Sequence, residues 1–166
     1  MFEKLNSPQE LFSYKLGAAL KMENTVLEML ENLQEATQSD EMRQQFSHHA
    51  DETKEQIHNI EQAFSALGEE PDTSPCPAIE GIDKEGKANM KKADDSVIDA
   101  VILSGAAETE HHEIAVYEGL ITEAEAMGKN DIVQLLQKNL EQEQHTLEEV
   151  KQATQQLAQR QFATAA

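Results

Sequence analysis

Only one cysteine, no tryptophan and four prolines occur in the 166 residues, and aromatic side chains make up 4% of the chain. The lone thiol, Cys76, excludes an internal disulfide, so no covalent staple holds the fold. Basic residues are scarce: 13 Lys and Arg stand against 32 Asp and Glu, a formal charge of −19. Without a basic patch or a lysine-rich arm the surface cannot neutralise phosphates, which excludes nucleic acid as a partner. No apolar run is long enough to cross a bilayer, and Met1-Phe2-Glu3-Lys4 lacks the apolar core of a secretion signal. The expectation is a cytoplasmic protein with no membrane partner. Strand-like alternation is missing as well, so an all-α chain is expected.

What is present is a helical period. Phe12, Leu16, Ala19, Val26, Leu30 and Leu33 recur at steps of three and four, with Glu23 filling the one gap in the stripe. A second stripe reads Met42, Phe46, His49, then Ile60, Phe64 and Leu67, and its middle is polar: Glu52, Thr53 and Gln56. A third runs Ile98, Ile102, Ala106, Glu110, Glu113, Tyr117, Leu120. The fourth runs Ile132, Leu136, Leu140, Glu143, Leu147, Val150, Leu157, with the polar Asn139 beside Leu140. Acids interrupt every apolar row.

Punctuation sets the boundaries. Ser7-Pro8 and Ser39-Asp40 offer N-caps, and Gly68 and Gly128 stand where left-handed C-caps are wanted. Helices are therefore expected over about 8–36, 40–67, 93–127 and 129–158, within one domain spanning 1–160. The proline-rich stretch after Gly68 makes 68–92 the one long connection, with a short extra helix from Ala78 to Met90; a flexible tail is expected over 161–166. Two hairpins joined this way form an up-down four-helix bundle with a crossover, the ferritin-like arrangement.

Counting places the acids at one level. Glu23 and Glu52 are 29 residues apart about the break at Thr37-Asp40, and Glu113 and Glu143 are 30 apart about Gly128. Each therefore lies roughly 22 Å from its turn at 1.5 Å per residue. Glu110 and His49 join them, each three residues from a partner acid. Unpartnered carboxylates in an apolar interior cost several kcal/mol or take up protons. None of the Lys or Arg residues falls on the stripes at this level. Cations remain as the neutralising partner.

The candidate metal ligands are accordingly Glu23, His49, Glu52, Glu110, Glu113 and Glu143, an oxygen-rich set suited to two carboxylate-bridged iron or manganese ions. The order departs from the usual Glu-x-x-His on two helices: here it is His49-x-x-Glu52 on one and Glu110-x-x-Glu113 on another. A solvated polar layer at a subunit seam is the competing explanation. Tyr117, one turn beyond Glu113, is either a redox or hydrogen-bonding neighbour of the metals or a core aromatic with a satisfied hydroxyl. Gln56 either orients a carboxylate or is a satisfied buried amide. His48, His58, His111, His112 and His145 fall off the stripes and are expected at the surface, His112 being notable for flanking Glu113. Cys76, between two prolines, is expected to be a packed small residue, and Met22, Met29, Met42 and Met127 core filler or helix surface.

The strings His49-Ala-Asp-Glu-Thr53, Cys76-Pro-Ala-Ile-Glu-Gly81, Glu110-His-His-Glu-Ile-Ala-Val-Tyr117 and Leu140-Glu-Gln-Glu143 resemble the YciE/YciF-type ferritin-like family of bacterial stress proteins. The similarity extends over roughly residues 8 to 158, the third string being the most specific. It implies an all-helical ferritin-like fold, a homodimer and a dimetal centre at the residues already chosen. Relatives commonly carry a tyrosine three residues before the helix-one Glu; this chain has Leu20. Three functions follow as expectations: stress-related redox chemistry on O2 or peroxide of ferroxidase, peroxidase or catalase type, iron handling or storage, and a non-catalytic structural or adaptor bundle.

Overall fold

The computed structural model describes residues 4–163, which form five helices: α1 (Pro8–Ala36), α2 (Asp40–Leu67), α3 (Pro77–Met90), α4 (Ile98–Ala126) and α5 (Asn130–Ala163). Each start and stop has a local cause. The Ser7 hydroxyl accepts from the Glu10 amide and Pro8 occupies the first turn of α1, while Ser39 does the same for the Met42 amide of α2. Gly68 and Gly128 take φ of 77° and 68°, conformations that side chains avoid, so both helix ends close where glycine permits it.

Four long helices stand in a square, α1 beside α2, α2 beside α5, α5 beside α4 and α4 beside α1. Cross-links fix the directions. Lys15 pairs with Glu123 at 2.6 Å and Thr37 donates to Asp99 at 2.8 Å, so α4 runs antiparallel to α1. Lys138 reaches Glu55 at 2.5 Å, which sets α5 against α2. Arg43 closes the first hairpin by donating to the carbonyls of Gln34 and Thr37.

The crossover returns along the outside of α1 and α4, and α3 packs on both. Its seat is Gly17: a Cβ there would lie 2.8 Å from the Asp72 carbonyl oxygen and the Ser74 hydroxyl. Ile79 is the apolar anchor of α3 and is fully buried. Within the bundle Phe12, Leu16, Ile60, Ile132 and Leu136 are buried to 1% or less, each side chain contributing about 1.5–3 kcal/mol by leaving water.

Boundaries differ from expectation in two places. The helix expected from residue 93 starts at Ile98, because Lys91 to Val97 turn a corner in which Ser96 bonds the Asp94 carboxylate and Val97 the Asp94 carbonyl. The last helix continues past 158 to Ala163, where Gln161 bonds the Ser96 carbonyl at 3.2 Å. Residues 161–163 of the expected tail are thus helical, and 164–166 lie outside the described residues. The short crossover helix starts at Pro77 and ends at Met90.

Candidate metal centre

Midway along the square, α1, α4 and α5 turn acids inward and α2 turns a histidine. Glu23 of α1, Glu113 of α4 and Glu143 of α5 are completely buried, and Glu110 of α4 and His49 of α2 nearly so. One donor atom from each of His49, Glu110, Glu113 and Glu143 lies within 4.8 Å of the others. This buried His/Glu cluster is compact enough to hold a metal ion. The packed stripe explains the inward aim: the acids occupy positions in register with Leu16, Ile102, Tyr117, Leu136 and Leu147, which face the same axis.

Glu52 sits differently. Its side chain keeps about a fifth of its surface, and its Oε2 lies 3.8 Å from His49 Nδ1 on the outer side of that ring. Glu110 Oε1 lies 3.4 Å from His49 Nε2. Neither contact has hydrogen-bond geometry, so both ring nitrogens are buried without a partner. The same holds for Glu23 Oε2, Glu110 Oε2, both oxygens of Glu113 and Glu143 Oε2. Such concentrated polar dissatisfaction is foreign to a finished apolar core.

Electrostatics agree with the geometry. Burial raises Glu23 from 4.5 to about 7, with the Tyr117 hydroxyl pulling the other way. Burial, then the charges of Glu143, Glu23 and Glu110, push Glu113 well above the carboxylate range. Glu143 is raised by burial and by Glu110 and Glu23. Burial alone would lower the His49 imidazole, but Glu110 and Glu52 together carry it well above its usual value. Glu52 is held low by His49. The cluster demands positive charge, from protons or from a cation.

On the inner side a polar ladder supports the acids. Tyr117 donates its hydroxyl proton to Glu23 Oε1 and accepts from Asn139 Nδ2 at 3.0 Å. Asn139 also donates to the Gln56 carbonyl at 3.2 Å and accepts from Asn59 Nδ2 at 2.7 Å. Gln56 donates its amide to Glu143 Oε1. Tyr117 is therefore hydrogen-bonded to one acid, and Gln56 to another. Asn59 and the use made of Asn139 were not evident from the sequence; the only signal was that Gln56, Asn59 and Ile60 share one face of α2.

Among the remaining histidines, His48, His58, His111 and His145 are exposed, and His112 is half-buried with its Nε2 4.0 Å from the Cys76 sulfur. Burial lowers His112. Cys76 is a buried free thiol at the start of α3. Met22 and Met42 are core residues, and Met29 and Met127 pack against the core from its edge.

Comparison with known proteins decides the family. A family model described as a domain of unknown function, DUF892, matches residues 7–163. The chain belongs to this family. Among its relatives, Protein YciF of Escherichia coli K12 is 30% identical over 140 residues, 83% of this chain and 84% of that protein. The crystal structure of that E. coli stress protein superposes with a TM-score of 0.87 at 26% identity, covering 93% of this chain and 99% of YciF. YcfI from Rhodopseudomonas palustris superposes at 0.88 with 32% identity, covering 91% and 97%. A protein from Xanthomonas campestris shares the fold at 0.74 and 20% identity. The DUF892 chain is thus a homologue of a bacterial stress protein with the all-helical ferritin-like fold expected from its sequence. Among the described residues no helix is long and apolar enough to cross a membrane.

Proposed function

We propose that the buried cluster is a dimetal carboxylate centre and that the protein performs stress-related redox chemistry on O2 or peroxide. The observation that carries this is the set of unpartnered buried atoms on His49, Glu110, Glu113 and Glu143, drawn together from three helices, with buried Glu23 of α1 facing Glu113 and no lysine or arginine among them. Two divalent ions would nearly neutralise the five carboxylates, and the one imidazole among oxygens suits iron or manganese. His49, Glu52, Glu110, Glu113, Glu143 and Glu23 would hold them. Bound there, such ions supply reversible electron transfer to an oxidant.

The chain's own residues supply the rest. Tyr117 fixes the Glu23 carboxylate by donating to Oε1, leaving Oε2 for a cation, and Gln56 does the same for Glu143. Glu52 stands at the rim of the cluster, where His49 holds its carboxyl below the usual carboxylate value and so keeps it charged toward a cation. The apolar layers above and below exclude water from the acids. A cytoplasmic homodimer completes the proposal, and sizing chromatography of the purified chain tests it.

A second possibility rests on YcfI, whose description suggests a structural role: a protonated polar layer that specifies packing without metal. Elemental analysis separates the two. Protein purified without added metal should carry about two transition-metal ions per chain, and Glu113→Ala should carry none. An empty parent protein that also refuses ferrous and manganous ions overturns the proposal. Iron storage would require an assembly far larger than a dimer, which the same chromatography reveals.

A further inference from the structure

The two sides of the cluster are not equivalent. The inner side is sealed by the Tyr117, Asn139 and Gln56 ladder. On the outer side a cavity of about 70 Å³ opens between α1, α2, α4 and α5 under the edge of α3. His49, Glu52 and Glu110 form its floor. Val26, Leu30, Phe46, Ile102, Ala106 and Val150 form apolar walls, and exposed His48 and Lys87 stand at its mouth. Thr109, a polar wall residue, spends its hydroxyl proton on the Gly105 carbonyl at 2.9 Å.

Two glycines border this space. Gly86 of α3 and Gly105 of α4 both line it, both have ordinary helical backbones, and a Cβ on either would meet nothing within 4 Å. Neither turn geometry nor close packing calls for glycine, and glycine weakens a helix interior. Both also border the outer groove between α3 and α4, so they mark the α3–α4 edge of the space.

We propose that this cavity binds a small uncharged apolar molecule of a few heavy atoms and presents it to His49, Glu52 and Glu110. The walls are mainly apolar, with Asn32, Gln45 and Thr146 joining Thr109 as the uncharged polar side chains among them, so an apolar guest meets apolar surface over most of the space. The volume lies below the roughly 150 Å³ of a dry cavity able to hold benzene. Dioxygen and peroxide are both small enough, and of the two dioxygen is the one whose apolar character matches the walls. This preference for O2 rests on the dimetal proposal; the existence of the apolar site does not.

Xenon is the probe, because its binding needs neither metal nor turnover. Added to the metal-free protein, it should shift the methyl NMR signals of Val26, Leu30 and Val150, and the shifts should vanish in the Gly86→Leu/Gly105→Leu double variant. Ala106→Leu fills the same space from another position and should give the same loss. The filled variants should keep the parent's iron content while their ferrous centres oxidise in O2 more slowly by about tenfold or more. Absence of xenon shifts in the parent, or shifts of unchanged size in both filled variants, overturns the site. Parent-like oxidation rates in filled, iron-loaded protein overturn its role in O2 entry. Xenon binding in a parent that takes up neither iron nor manganese leaves the cavity standing and sinks the dimetal proposal instead.

Discussion

Replacing Glu23 by glutamine in metal-free protein isolates the cost of one buried acid. Glu23 is completely buried and its carboxyl is raised from 4.5 to about 7, chiefly by burial. A group raised on folding contributes stability that is fully present below its unfolded value and is lost as pH rises through the folded value. For Glu23 that window runs from 4.5 to about 7. At about 1.4 kcal/mol per tenfold, the loss across it is roughly 3 kcal/mol. Glutamine keeps the shape and the acceptor for Tyr117 but has no proton to lose. Near pH 4.5 the metal-free parent and Glu23→Gln should therefore unfold at similar denaturant concentrations. At pH 8 the variant should be the more stable by roughly 3 kcal/mol, or about 6–12 °C in Tm for a chain of this size. The repulsion among surface acids, which also grows with pH, is nearly common to both proteins and cancels in the difference. Iron or manganese should invert the order, because the parent gains a ligand set that the variant lacks. Urea titrations at the two pH values measure the effect. Parallel pH curves, or a variant less stable at pH 8, would refute the idea that an unpaired buried charge resides there.

Other outcomes follow from the same geometry. Metal added at a hundredfold excess over its dissociation constant should stabilise the parent by about 2.7 kcal/mol, visible as a concentration-dependent Tm, and Glu113→Ala should show no such shift. Tyr117→Phe removes a donor from Glu23 and an acceptor from Asn139, and should cost about 1–3 kcal/mol in denaturant unfolding. Gly17→Ala drives a methyl against Asp72 and Ser74 at 2.8 Å, and limited proteolysis should then cut the crossover before α3 faster than in the parent. Leu136→Ala should cost about 2–5 kcal/mol as a buried leucine replaced by a cavity, with secondary structure by circular dichroism unchanged.

Much of the site was legible because each acid occupies a position that the helical period reserves for an apolar side chain. Glu23, Glu110, Glu113, Glu143 and His49 are all buried where the stripes and the hairpin midpoints put them. Glu52 is the partial exception: it sits at the right height but at the rim, since three residues of helix rotate it away from the axis that His49 faces. The corner at Lys91–Val97 was illegible for a different reason. Lys91, Lys92 and Ala93 favour helix while Asp94, Asp95 and Ser96 favour turns and caps, so the boundary is blurred locally, and the capture of Asp99 by Thr37 and the Gln38 amide shows where α4 must begin relative to the first hairpin.

Period, caps and charge distribution, all local properties, determined that this chain would form long helices with acids on their inner faces. They could do so because a helix's buried stripe and its ends are written in residues three or four apart. Which oxygen meets which nitrogen was decided only when four helices packed: the pairing of Tyr117 with Glu23, the Asn59–Asn139 link, the seat of the crossover on Gly17 and the cavity beside His49. Those contacts join residues tens of positions apart, and their distances depend on helix placement to within an ångström, which no local pattern encodes.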